Sequence, residues 1–415
     1  MAGLVKHYQN TMKGIPQLTN NWGAMIDLLD AVLVTGFNHV LVLGLSKANA
    51  TSITATINLG SDHGFIDRQV VRIAGSTNGW DGDYKVLSAG TNSITVECTA
   101  EHPSVIAGTA TCFTAPLDFE IVHQTSVEST TPKRAYRSTD PESLGLILLV
   151  HDFCVSGAAV NGSKFAKVGV VSSMSDIDTI TGTQMPYDSA NHDANWGWDG
   201  TYHGWAKWYY RTSNHSAPTQ SFDDSTSAII GNSPFLFIGN KNSFVFDVDV
   251  SDYGKALTYG CVEFLDNRFQ GKNCALFAAG MQVRAKQSDR LVPQGRSGIR
   301  LGGHALVNYG GVNLNGLIWL NSSGQPNYEL CGKSAYMGVG NNTNASSSIS
   351  SSIVFIPFLI SVGDAYIGSI PFIKHSMSSL NISGVSASYG KYISRYYSYE
   401  PNTICIKHAY TLEME

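Results

Sequence analysis

Val70-Val-Arg-Ile-Ala-Gly-Ser-Thr-Asn-Gly-Trp-Asp-Gly-Asp-Tyr-Lys-Val-Leu87 decides the fold class. An apolar, β-branched run ends at Ile73, and a second run opens at Tyr84. Between them, Asn78-Gly-Trp-Asp-Gly-Asp83 carries Asp81-Gly82, a pair that readily takes the positive φ values of tight hairpin turns. Strand, turn and strand therefore follow one another within eighteen residues.

The same grammar extends outward. Short β-like runs at 39–45, 52–58, 69–73, 84–87, 93–98 and 109–113 are separated by Gly, Asn, Asp and Ser. Residues 37–125 thus read as a small β-barrel or sandwich domain. Residues 142–415 read as a larger antiparallel β-sandwich, with runs at 144–150, 207–211, 235–238, 244–250, 275–279, 353–360 and 403–407. Between the domains, SVESTTPKRAYRSTDP (126–141) is polar, holds two prolines and concentrates Lys133, Arg134 and Arg137, so it reads as a linker or strap.

One helix is expected, over residues 16–33, where Trp22, Met25, Ile26, Leu29, Val32 and Leu33 recur at helical spacing. Pro16 suits its first turn and Gly36 its end. Residues 1–36 form a helical arm on this reading, whose apolar face packs on its own chain or on another protein. The fold class is mostly β with an N-terminal helix.

Composition narrows the function. In 415 residues, 43% are hydrophobic and only 14% charged, with 41 glycines, which suits a β protein whose surface is neutral and polar. Lys and Arg number 27 against 32 Asp and Glu, a net charge of -5, so no nucleic-acid partner is expected. The apolar runs at 144–150 and 353–360 are too short to span a bilayer, so no membrane insertion is expected. The opening MAGLVKHY lacks the apolar core of a secretion signal, which places synthesis in a reducing cytoplasm. Seven scattered cysteines without C-x-x-C signal neither a zinc site nor a disulfide framework, and most read as small buried hydrophobes.

Catalytic motifs are scarce. Gly332-Lys333-Ser334 ends like a phosphate-binding loop, but Asn327 stands where its first glycine belongs. There is no Gly-x-Ser-x-Gly elbow and no His-Glu-x-x-His helix. The region 175–224 is rich in acids, including Asp176, Asp178, Asp188, Asp193, Asp199, Asp223 and Asp224, which read as turn residues, calcium ligands or a glycosidase acid pair. A calcium loop from Asp193 fails at its twelfth position, Gly204. Residues 195–211 contain Trp196, Trp198, Trp205 and Trp208 with three tyrosines, a sugar-stacking platform, an anchor for a protein interface or, for Trp208 and Tyr210, core. The neighbouring pairs Asp62/His63, His151/Asp152 and His192/Asp193 point to opposite faces of a strand and lack a nucleophile, so they read as structural. The Gly-Trp-Asp-Gly strings at 79–82 and 197–200 are shared turn chemistry, and TNASSSISSS (343–352) is a surface loop. No catalytic residue, metal or cofactor is assigned.

The opening stretch, followed by Ser93-Ile-Thr-Val96, resembles a small β domain that recurs in structural proteins of tailed-bacteriophage tails. Pro234-Phe-Leu-Phe-Ile-Gly-Asn-Lys-Asn-Ser-Phe-Val-Phe246, Val262-Glu-Phe-Leu-Asp266, Asn273-Cys-Ala-Leu-Phe277 and Ala365-Tyr-Ile-Gly-Ser-Ile-Pro371 are similar to the strand order of baseplate or fibre-proximal proteins. The chain departs from that pattern at Gly239-Asn240 and at Ile367-Gly-Ser-Ile-Pro-Phe372. The resemblance implies a non-enzymatic virion tail component that assembles with copies of itself and with other tail or baseplate proteins. Trp22, Met25, Ile26 and Leu29 of the arm, and Lys133, Arg134 and Arg137 of the strap, would be its attachment elements, and removing residues 1–36 would leave folded β domains. The alternatives are a receptor-recognition protein binding a cell-surface glycan through Trp196, Trp198 and Trp205, and a polysaccharide depolymerase using acids from 176–224.

Overall fold

The computed structural model describes residues 4–153, 163, 165–182, 184–185, 206–211, 227–249, 256–268, 271–277, 315–320, 326–331, 355–362, 365–376, 387–389, 392–399 and 404–411. The chain is mostly β, with antiparallel sheets and, among the described residues, one short helix near its N-terminus. It divides into two compact units. One holds Met1–Val5, Gln17–Ile26 and Phe119–Glu415, and the other holds Lys6–Pro16 and Asp27–Asp118.

In the smaller unit, the hairpin read from the opening stretch is formed by Val70–Ala74 and Gly82–Ala89, with Val71 opposite Tyr84. Two further strands, Phe37–Leu41 and Thr111–Thr114, complete the order on one side, while Gly44–Lys47, Thr54–Asn58 and Ser93–Glu97 complete it on the other. The expected run 39–45 is broken at residues 42–43. There Val42 N–H donates to Ala110 O and Leu43 N–H donates to Asn58 O, both at 2.9 Å, so one bent segment edges both halves of the sheet. This is a sandwich-like arrangement, and its strand order does not close into a barrel.

Alternation along each strand sends Leu45, Ile57, Val71, Ile73, Val86, Ile94 and Val96 into one core around fully buried Trp80. Two side chains fix its loops. Asp81 accepts from the N–H groups of Gly75 and Ser76, which closes the turn that the sequence announces. Lys47, only 7% exposed, donates to the carbonyls of Ala50, Thr99, Ala100 and His102 at 3.0 to 3.2 Å. Four carbonyl dipoles thus replace the water that a buried ammonium would otherwise require.

In the larger unit, Phe119–Gln124, Lys133–Ser138, Ile147–His151 and Phe165–Val171 pair in sequence, and Phe165–Val171 also pairs with Gln184–Met185 and Ala206–Tyr209. A second antiparallel run follows: Phe235–Gly239, Phe244–Asp249, Ala256–Asp266, Gly271–Phe277, Asn315–Leu320 and Pro326–Cys331. The two pack face to face. Trp208 sits edge-on to Phe244 and Phe246 and donates its indole N–H to Phe277 O at 2.8 Å. Phe355–Val362, Ala365–Ser376, Ile404–Thr411, Tyr392–Tyr399 and Ala387–Tyr389 form a further sheet. A Cβ on Gly368 would lie 2.4 Å from Leu265 O, so glycine there is what lets two strands approach.

Two expectations are corrected. The segment 126–141 is no linker, because Lys133–Ser138 is an inner strand paired on both sides. Its two fully buried residues, Ala135 and Tyr136, are adjacent at a break in register with the neighbouring strand, so the segment shows no clean alternation to announce it. The helix is also shorter than residues 16–33. It runs as α over Ala24–Leu29 and as π over Asp30–Thr35, where Gly36 N–H reaches back to Ala31 O. Gly23 at φ 92° cannot join it, and Thr19 Oγ1 takes the Asn21 N–H. Gly36, at φ 71°, does end it as read.

Candidate functional site

The expected attachment residues fall into three groups. Trp196, Trp198 and Trp205 lie outside the described residues, as do Gly332, the loop 343–352, the Gly-Trp-Asp-Gly string at 197–200, the pair His192/Asp193 and the acids from Asp188 to Asp224. The other two groups are described, and both are built into the chain's own fold.

Met25 and Leu29 are completely buried and Ile26 is 2% exposed, as are most of their apolar neighbours. An amphipathic helix would keep a polar face in water, but this one is enclosed nearly all round. At its start Asp152, itself fully buried, accepts the Met25 N–H at 2.8 Å on Oδ2 and the Tyr210 hydroxyl at 2.8 Å on Oδ1. Tyr210 also meets Ser163 Oγ, and Ser163 N–H donates to Asn20 O at 2.8 Å. Half-buried Trp22 packs edge-on against Phe165 at 6.1 Å. A carboxylate from one strand end thus organises the helix start and the last aromatic of the 195–211 run. No feature of residues 16–33 announced that partner.

Lys133, Arg134 and Arg137 are strand residues. Arg137 pairs with Glu120 on the neighbouring strand at 2.7 Å, and Lys133 pairs with Asp178 of the hairpin Met174–Asp176/Thr179–Ile180. Arg134 donates to Lys133 O. The register places Lys133 opposite His151, His151 opposite Lys167, and Lys167 opposite Lys207, a basic row across four adjacent strands on one sheet face. Like charges abreast are unfavourable. His151 answers by staying neutral: burial, with Lys167 and Lys133 beside it, holds its pKa well below the usual value. His151 and Lys167, in the middle of the row, are each 2% exposed, whereas Lys133 at its edge is only partly buried.

Trp208 and Tyr210 are core, as one of the two readings had it, and Tyr209 on the opposite face is buried too. Tyr209 N–H donates to the Tyr259 hydroxyl at 2.9 Å. This described part of the aromatic run therefore offers no ring face to a sugar.

The smaller unit holds a charge cluster around the buried Lys6 that the sequence did not indicate. Lys6, 4% exposed, lies 2.6 Å from Asp83 and 3.7 Å from Asp118. Arg72 grips both acids, with Nε 2.5 Å from Asp83 and Nη1 2.7 Å from Asp118. Burial opposes the Arg72 charge, yet the two carboxylates hold its pKa above the ordinary value. Beside it, Tyr8 donates to Ala115 O at 2.7 Å. Two cations and two anions bind the strand Lys6–Gln9 to this unit, each charge answered by another.

Among the described residues, no three His, Cys, Asp or Glu side chains gather as metal ligands, and no helix is long and apolar enough to cross a membrane.

No family model matches the chain, and no curated protein does. Among solved structures, phage phi92 endosialidase is similar over 88% of this chain at 11% identity, with a TM-score of 0.17. This chain spans 66% of the length of that structure. Similarity at that level establishes no shared fold.

Proposed function

We propose that the chain is a non-enzymatic structural subunit of a tailed-bacteriophage virion, a baseplate or tail-appendage component that assembles with copies of itself and with neighbouring tail proteins. The carrying observation is the stretch 70–87. The segment whose wording resembles tail-protein β domains is a paired hairpin at the centre of a compact unit, not an isolated string of similar letters. The charge chemistry agrees. Lys6, Arg72, Asp83 and Asp118 are committed to one another, and Asp152 to Met25 and Tyr210, which is the use of ionisable groups that a rigid building block makes.

Attachment does not run through a free N-terminal arm or a basic strap on this reading, since the helix is enclosed and the basic segment is a strand paired on both sides. It runs through β surfaces. Leu41, Leu43, Ile53 and Val105 of the smaller unit are each more than half exposed and supply apolar area for docking. The glycan reading rests on Trp196, Trp198 and Trp205.

The test is mass spectrometry of particles purified from the phage that encodes the chain, with electron cryomicroscopy of the tail. A fixed, multiply contacted position is the expected result. Absence from the particle overturns the proposal, and a distal position with Trp198 and Trp205 against a glycan replaces it with receptor recognition.

A further inference from the structure

Cys261 and Cys274 stand on neighbouring antiparallel strands, Ala256–Asp266 and Gly271–Phe277. The register sets Cys261 opposite Leu276 and Glu263 opposite Cys274. The two cysteines are therefore diagonal neighbours on one face of the sheet, thirteen positions apart in sequence, and their Sγ atoms are 3.3 Å apart. Cys261 is partly exposed, whereas Cys274 is 1% exposed. Cys98 and Cys112 offer the contrast: Cys98 Sγ meets the Ser52 carbonyl, and Cys112 is enclosed in the small core.

We propose that Cys261 and Cys274 are a reversible dithiol–disulfide site that exchanges with a small-molecule disulfide such as oxidised glutathione. Partly exposed Cys261 attacks first. Its thiolate forms a bond to one glutathione sulfur, and the glutathione disulfide bond breaks, releasing one glutathione thiolate. Cys274, already in contact, then attacks the Cys261 sulfur and expels the second glutathione as its thiol. The two protein thiols lose two electrons and two protons, and one glutathione disulfide becomes two glutathione thiols. The contact with Cys261, and burial, raise the Cys274 thiol pKa, so closure speeds up as pH rises.

Reversibility follows from the geometry. Diagonal partners start with their Cβ atoms farther apart than direct partners, and a bond of about 2.05 Å must draw the two strands together. A bond closed against that resistance is reduced more readily than a relaxed one. The site stays reduced in a cytoplasm and closes in an oxidising medium.

The experiment incubates the folded full-length chain with oxidised glutathione, alkylates remaining thiols and digests with trypsin. Cleavage after Lys255, Arg268, Lys272 and Arg284 puts Cys261 and Cys274 on separate peptides, 256–268 and 273–284. The expected result is one joined species that dithiothreitol separates, with Cys112 still a free thiol. In Cys274→Ser, Cys261 retains one glutathione as a mixed disulfide. In Cys261→Ser, Cys274 stays unmodified. Free thiols at both positions after oxidation, or a glutathione adduct on Cys261 of the wild-type chain that never resolves, overturns the proposal.

Discussion

Asp152 accepts the backbone N–H of Met25 at 2.8 Å, across 127 positions of sequence. Its other oxygen takes the Tyr210 hydroxyl, so one fully buried carboxylate satisfies two donors that no water reaches. Replacing Asp152 by Ala orphans the Met25 N–H and leaves the Tyr210 hydroxyl only its Ser163 and Asn21 contacts, at a cost of about 2–4 kcal/mol. Asp152→Asn keeps one good acceptor and costs less. Urea unfolding of both variants, followed by near-ultraviolet signals from the buried aromatics, checks the order.

Removing residues 1–36 strips Met25 and Ile26 from the larger unit, and Lys6, Tyr8 and Leu29 from the smaller. The truncated chain is expected to be insoluble or molten rather than folded and unattached. A milder form is the pair Met25→Ala and Leu29→Ala, each expected to cost about 2–5 kcal/mol. Size-exclusion chromatography of the truncation and thermal unfolding of the point variants decide between a free arm and an integral one.

Acid sensitivity follows from His7. Burial, aided by the nearby Arg68, lowers its pKa from 6.5 to about 4. Above pH 6.5 both folded and unfolded chains leave it neutral, and stability does not change on its account. As pH falls from 6.5 toward 4, the unfolded chain takes a proton that the fold refuses, and stability declines by about 3 kcal/mol in total. His151 acts with the same sign. Unfolding measured from pH 7.5 to 4 should lose stability steadily, and less steeply in His7→Gln.

Lys47→Met keeps the apolar stem of the side chain and removes the ammonium from its four carbonyls. The expected loss is about 2–3 kcal/mol. Limited proteolysis should then cut within residues 99–102 first, while the wild-type loops resist.

The β-rich class was legible because it rests on local chemistry. Alternation at 54–58, 70–74 and 93–97, and Asp81-Gly82 between strands, carry their instructions within a few residues. Gly36 marked the helix end for the same reason. Phe165–Val171 was missed because it is buried at every position and a strand covered on both faces needs no alternation, and Lys133–Ser138 because a break in register at Ala135/Tyr136 interrupts its alternation. How the expected attachment residues are covered was not legible for a related reason: apolar spacing at 16–33 and basic clustering at 133–137 say what side chains are present, not what covers them.

Sequence alone determined that this chain is a β protein of low charge, where its turns fall, and that Trp208 and Tyr210 were candidates for a core. Which side chains become partners was decided only by tertiary structure. Asp152 with Met25, Lys6 with Asp83, and Cys261 beside Cys274 each depend on which strands lie abreast and in what register. Register is a property of the assembled sheet, since shifting one strand by a single residue turns every side chain to the opposite face.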